Sequence, residues 1–243
     1  MNNKLNLCLA GLLLAPWGGS QAIELNKDFS LALNAGLYSQ YWSRGISQTQ
    51  GDPAIQGSAT LLHASGLYVG VWSSSVDFGH GSKTRQEIDY YLGYFWQATD
   101  NVSLDVAYYE YEYPNQSSFN YSETYARLTA YGAYLGGYYS DDLYGGQSAL
   151  YSFVGYETKL PADVGLNIRY GWVDYKDPLF VDSNGHARDS YNEWQVTLSK
   201  EYLSLNWSVS YADSDLSKSE CLSYSGFDDV CSSNLVFGVS KSF

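Results

Sequence analysis

Asp89, Asp105, Glu123, Glu157 and Glu193, together with Arg127 and Arg169, occupy one phase of segments otherwise built from Tyr, Leu, Val and Gly. Every second side chain of a strand shares a face, so strands through these positions carry charge on one side and apolar groups on the other. Gln40 and Asn167 fall on the polar side, as do Asn34, Gln56, Gln195 and Asn206. Two chemistries are open to such a set. Around a water-filled interior, five acids against two bases favour cations or neutral polar solutes over anions. Alternatively Arg127 and Arg169 each bridge two acids, and the charges plug the interior.

The remaining reactive groups point away from catalysis. His63 is expected at a lipid-facing position, and His80 and His186 lie in polar loops in Gly-His-Gly and Gly-His-Ala contexts that read as solvated turns. No Ser and carboxylate are reliably placed beside either loop histidine, so the chain does not read as an enzyme and calls for no cofactor. Cys221 and Cys231, ten positions apart in one loop, read as a disulfide in an oxidising compartment. Closing so short a loop contributes about 2.5–3 kcal/mol in the chain-entropy estimate. No histidine accompanies them, so no metal site is expected. Arg44 ends the first alternating segment; it either folds into a pore mouth or binds Asp52 or a lipid phosphate. Gly45, Gly51 and Pro53 set the local loop geometry. Acidic loop residues, including Asp141, Asp142, Asp213, Asp215, Asp228 and Asp229, are solvated or meet surface partners and divalent cations that bridge lipopolysaccharide.

The elements that must position these groups are strands. Aromatics make up 17% of residues and the net charge is −13, yet the apolar run 5–14 is too short to span a membrane as a helix and no other segment could form one. That acidity argues against nucleic acid as a partner. The last eleven residues alternate up to Phe243: Leu235, Phe237, Val239 and Phe243 share one face, and Asn234, Gly238, Ser240 and Ser242 the other. A strand between lipid and water needs that alternation. A terminal Phe after it resembles the sorting signal through which outer-membrane proteins meet the barrel-assembly machinery. At the other end, Lys4, the apolar run 5–14 and Ser20-Gln21-Ala22 read as a signal peptide cleaved after residue 22, which takes Cys8 with it.

Period-two patterning predicts about twelve strands between Ser30 and Phe243, an even number that puts both termini on the periplasmic side. Connections after the even strands are short. Those after the odd strands are longer, roughly seven to twenty residues, and extracellular, the asymmetry expected of such barrels. Pro53, Pro114, Pro161 and Pro178 all fall in connections, as a hydrogen-bonded ladder requires. The eighth strand, Ser148 to Thr158, has ambiguous parity because Tyr151 and Phe153 compete with Leu150 and Val154. Aromatics expected outside, near the extracellular ends, include Tyr41, Tyr90, Tyr108, Tyr139, Tyr170, Trp172, Trp194 and Tyr211, with Trp96 and Phe243 near the other rim.

The segments Arg44-Gly45-Ile46-Ser47-Gln48-Thr49 and Gly51-Asp52-Pro53-Ala54-Ile55-Gln56-Gly57 resemble the opening signature of the TorF family of porins. Gly66 to Trp72, Tyr191 to Trp194 and the closing Val239 to Phe243 extend the resemblance over residues 23–243. It implies an outer-membrane barrel with a pore. The residues and the resemblance together lead us to expect one all-β domain, an up-and-down antiparallel transmembrane barrel in the outer membrane of a Gram-negative bacterium, in contact with lipid and lipopolysaccharide. Its expected role is passive passage of small polar solutes or ions with weak cation preference, the alternative being a plugged structural or surface-interaction barrel. Thiol labelling of the oxidised, unfolded mature protein is expected to find no free cysteine; two labelled thiols would refute the disulfide.

Overall fold

The computed structural model describes residues 22–79 and 81–243, so residues 1–21 of the expected signal peptide (1–22) and the loop residue His80 lie outside the described residues. Twelve strands form one closed antiparallel barrel. They are β1 (Phe29–Tyr38), β2 (Ala54–His63), β3 (Leu67–Ser75), β4 (Gln86–Thr99), β5 (Val102–Glu112), β6 (Tyr121–Ala130), β7 (Ala133–Leu143), β8 (Gln147–Leu160), β9 (Val164–Tyr175), β10 (Ser190–Tyr202), β11 (Leu205–Ser214) and β12 (Asn234–Ser242). Each pairs with its sequence neighbour, and β12 closes on β1 with Gly238 opposite Tyr38 and Ser242 opposite Asn34. Phe243 continues the ladder: its N–H donates to the Leu33 carbonyl at 3.0 Å. Ile23–Glu24 adds a short antiparallel pairing to β1.

Alternation decides which side chains meet the exterior. Leu37, Ile55, Leu92, Leu135, Val154 and Phe237 are each more than half exposed on the outer face. Their ladder neighbours face the interior. Such a surface suits hydrocarbon, in which a closed barrel leaves no backbone edge unpaired. Tyr90, Tyr108, Tyr139, Tyr170, Trp172, Trp194 and Tyr211 are exposed on this face, as are Trp96 and Phe243 towards the other rim. Tyr41 is a correction. It lies past the end of β1 and is buried, its hydroxyl donating to Glu87 Oε1 at 3.0 Å, so it belongs to the interior. The parity of β8 resolves with Leu150 and Val154 outward and Tyr151 and Phe153 inward.

Short turns at 64–66, 100–101, 131–132, 161–163 and 203–204 mark one end of the barrel, with both termini of the sheet. The long connections 39–53, 76–85, 113–120, 176–189 and 215–233 mark the other. The link between β7 and β8 was expected to be long and is only residues 144–146, because both strands continue as a hairpin to Leu143 and Gln147. Loop 215–233 holds a helix, α1 (Lys218–Ser225), started by a capping box in which Ser217 and Glu220 bond each other's backbone N–H. Cys221 of this helix is disulfide-bonded to Cys231, with their Cα atoms 5.9 Å apart. Val181 N–H to Ser223 Oγ, Tyr144 Oη to Tyr224 Oη and Ser47 N–H to the Val230 carbonyl bind α1 and its loop to three other connections.

Inside the barrel, tyrosines lie across glycines. Tyr68 stands directly opposite Gly93, Tyr91 opposite Gly70 and Tyr134 opposite Gly155. In each pair a methyl on the glycine would overlap the facing ring. Glycine here makes room for a ring lying flat on the neighbouring strand, which turns a broad side chain into wall lining. Gly155→Ala is therefore expected to displace Tyr134 and destabilise the barrel by about 1–3 kcal/mol, the usual cost of overpacking, as read from denaturant unfolding in detergent.

Candidate solute pathway

The interior is divided into two unlike halves. On β3–β8 the inward positions carry Tyr68, Tyr91, Tyr109, Tyr111, Tyr125, Tyr138 and Tyr151, and successive rings sit with centroids roughly 5–6 Å apart. On β10–β12, beyond Tyr191, Glu193 and Val236 at the loop end, they are small and polar: Gln195, Thr197, Asn206, Ser208, Ser210, Gly238 and Ser240. A cavity of about 920 Å³, lined by both halves, runs from Gln48 and Phe227 among the loops to Asn206 and Ser208 near the opposite end. Its wall includes Gln40, Asn167, Glu87, Asp89, Glu123, Glu157, Arg44, Arg127 and Arg169.

Loop 39–53 crosses this space as a small hairpin. Trp42–Ser43 pairs with Ile46–Ser47, leaving Arg44 and Gly45 as a two-residue turn with φ of 48° and 81°. Tight hairpins need positive φ at both central positions, which suits the glycine and strains a residue such as arginine. The strain is offset by what Arg44 reaches. Its guanidinium donates to both oxygens of Glu123 at 2.7 and 2.6 Å and lies about 5 Å from the ring centres of Tyr138 and Tyr151. Tyr191 Oη donates to the Arg44 carbonyl at 2.7 Å. Trp42 is buried with Ala212 and Val236 at the base of the hairpin. A Cβ on Gly45 would come within 2.9 Å of the Glu193 and Ser214 side chains, so only glycine lets the tip approach the wall so closely. Arg44 thus sits inside the barrel on Glu123. Asp52, its other expected partner, is exposed on the loop, where its N–H bonds the Thr49 carbonyl.

The other charges are organised in pairs. Arg127 Nη2 donates to Glu157 at 2.9 Å, with its guanidinium over the Tyr134 ring. Arg169 binds Glu193 through Nε at 3.0 Å and also reaches Gln195. Tyr151 Oη donates to the same Glu193, and Tyr68 Oη to Asp105. Each of these two arginines therefore holds one acid, where sequence reasoning allowed two. Asp105 and Glu193 face inward but are not part of the cavity wall. Tyr134 Oη donates to Asn167. Glu87, which the sequence reading did not single out, accepts from Tyr41 and Tyr113. It shares the inward phase of Asp89, so parity alone could have found it.

The solvated turn expected around His186 is present, with one contact added. Asp182 lies beside His186, with Nδ1 to Oδ2 at 3.1 Å, a carboxylate contact the sequence reading did not place. Hydrogen bonds from the His186 backbone and imidazole, helped by the Asn184 N–H, hold the Asp182 carboxyl down to about 2. The pair is exposed at the tip of the hairpin between Val181 and Ala187 and reads as a turn lock. His63 lies at the turn end, its ring 4.8 Å from Phe29.

A closed twelve-stranded antiparallel barrel is an architecture this chain shares with solved outer-membrane porins. The chain belongs to the family described as "Bacterial protein of unknown function (Gcw_chp)", whose model matches residues 23–243. Among curated proteins, none matches the chain. Among solved structures, a KdgM porin superposes with a TM-score of 0.52 at 13% identity, over 87% of this chain and 99% of that one. The KdgM porin in complex with disordered oligogalacturonate gives 0.51 at 12% identity, over 87% and 99%. A NanC porin gives 0.51 at 11%, over 86% and 97%. At these identities the likeness shows the fold.

Arg44→Ala is expected to cost about 3–5 kcal/mol, because it leaves Glu123 buried without its counter-charge. Adding Glu123→Gln should recover a large part of the loss. Urea unfolding of both single variants and the double variant measures the coupling.

Proposed function

We propose that this chain is an outer-membrane channel of a Gram-negative bacterium through which small polar solutes or ions diffuse, with weak preference for cations. The observation that carries the reading is the charge around the cavity. Its wall holds Glu87, Asp89, Glu123 and Glu157 against Arg44, Arg127 and Arg169, and the arginines are all tied to acids. Two carboxylates, Glu87 and Asp89, are left with no arginine bound to them. In a narrow, low-dielectric passage, whatever negative charge these two acids carry attracts cations and repels anions. Neutral hydroxyl and amide groups on β10–β12 offer hydrogen bonds to an uncharged polar solute.

The apolar exterior, the exposed Tyr and Trp rings and the porin-like fold support placement in an outer membrane, in contact with lipid and lipopolysaccharide. The alternation ending at Phe243 supports recognition of the last strand by the barrel-assembly machinery. The TorF resemblance of the Arg44–Gly57 segment supports the porin reading too, since that segment forms the inserted hairpin. One similar porin was solved with oligogalacturonate, a polyanion. The acid excess here argues that this chain serves a different class of solute.

The tyrosine-packed half and the arginine–carboxylate pairs favour a second reading, a non-conducting structural or surface-interaction barrel. Planar-bilayer recordings of the refolded mature chain under a salt gradient separate the two. Discrete current steps with a cation-selective reversal potential are expected. Anion-selective reversal would overturn the preference, and silence from a demonstrably folded barrel would favour the closed reading.

A further inference from the structure

Asp89 is the one carboxylate on the cavity wall whose two oxygens are buried without a hydrogen-bond partner among the described residues. The side chain is 0% exposed. Its neighbours are otherwise satisfied: Glu87 accepts from Tyr41 and Tyr113, and Glu123 from Arg44 and Tyr111. Arg44 places its two terminal nitrogens on Glu123 and does not bond Asp89. Buried carboxylates are costly unless paired, so Asp89 calls for a proton or a cation from outside the chain.

The surroundings of Asp89 specify the kind of cation. Directly opposite it on β3 stands Trp72, and directly opposite on β5 stands Tyr111, both inward and both on the cavity wall. Tyr41 packs edge-on against Trp72 with ring centres 5.3 Å apart. A carboxylate flanked by aromatic side chains suits an ammonium group, which gains from the acid and from the rings together. Chelation of a metal ion is disfavoured, since no three His, Cys, Asp or Glu side chains among the described residues are placed to hold one.

We propose that Asp89, with Trp72 and Tyr111, forms a subsite for the ammonium group of a small organic amine. It deepens the channel reading above and shares with it only the need that a small solute can enter the lumen from one end. Titration calorimetry of the refolded protein in detergent, with n-butylammonium chloride as probe and n-butanol as its neutral counterpart, tests it. Wild type should bind the ammonium and not the alcohol. Asp89→Asn should weaken binding about tenfold, equivalent to roughly 1.4 kcal/mol, and Asp89→Glu should retain it. If Asp89→Asn does not fold, Trp72→Leu keeps the acid, removes the ring and should also weaken binding.

Equal binding by wild type and Asp89→Asn, or no binding by wild type, overturns the subsite and leaves Asp89 as a neutral acid. Bilayer recordings separate this from the channel reading. Currents without ammonium binding sink the subsite and leave the channel. Binding that is lost in Asp89→Asn, in a barrel that never conducts, keeps the subsite and sinks the channel.

Discussion

In surroundings without water an unpaired amide or carbonyl costs several kcal/mol, so the last strand of this sheet has to find the first. The ladder from Gly238–Tyr38 to Ser242–Asn34 meets that demand, and much else follows from it. Closure fixes an inside and an outside, so a single residue of slip in any strand would exchange Leu, Val and Trp for Asp, Glu and Ser across the wall. It also fixes how much space the inward side chains must share. Twelve strands enclose more room than the eight-stranded case that side chains just fill, and the chain uses that room unevenly.

On β3–β8 tyrosines lie over glycines and build a stiff, ring-lined wall. Burying a phenol requires a partner for its hydroxyl, and here carboxylates on the same face supply several: Asp105 for Tyr68, Glu123 for Tyr111, Glu193 for Tyr151. The acids that give the interior its charge therefore also hold its aromatic wall in place. Arginine then sets the balance, because each guanidinium placed on an acid removes one unit of the excess. The Arg44 hairpin reaches across to do this, from a base buried at β11 and β12 to an acid on β6.

Much of this was legible in sequence, and the parts that were not share a cause. Twelve strands, the outward aromatics and the inward phase of Asp89, Asp105, Glu123, Arg127, Glu157, Arg169 and Glu193 follow from period two, a local property. Arg44 bonds a residue 79 positions away, and no local pattern announces which acid it will choose among several. Tyr41 was assigned outward by extending the β1 pattern past Tyr38, where the chain has already left the sheet and turned inward. The β7–β8 connection looked long because Asp141, Asp142, Gly145 and Gly146 read as loop, yet cross-strand pairing with Gln147 holds Leu143 in the hairpin. Tyr151 and Phe153 in β8 left two parities open on hydrophobicity alone. Tyr134 opposite Gly155 and Tyr138 opposite Tyr151 set the register that decides between them.

The same uneven filling that stabilises the barrel also confines any solute. A path along β10–β12 meets neutral Ser, Thr, Asn and Gln, which hydrogen-bond without discriminating by charge. On the proposed channel reading, discrimination would fall where the hairpin enters the lumen and brings Arg44 onto Glu123, near Glu87 and Asp89. With Arg44 fixed on Glu123, any net field there comes from Glu87 and Asp89, which carry no arginine. A wide pore would let water and salt screen that field within about 10 Å at 0.1 M ionic strength; at a constriction walled by Trp72, Tyr111 and Tyr41, much less solvent intervenes. On the proposed reading, selectivity would rest on one loop and the few side chains it meets, and the remaining strands supply the rigidity that keeps them in register.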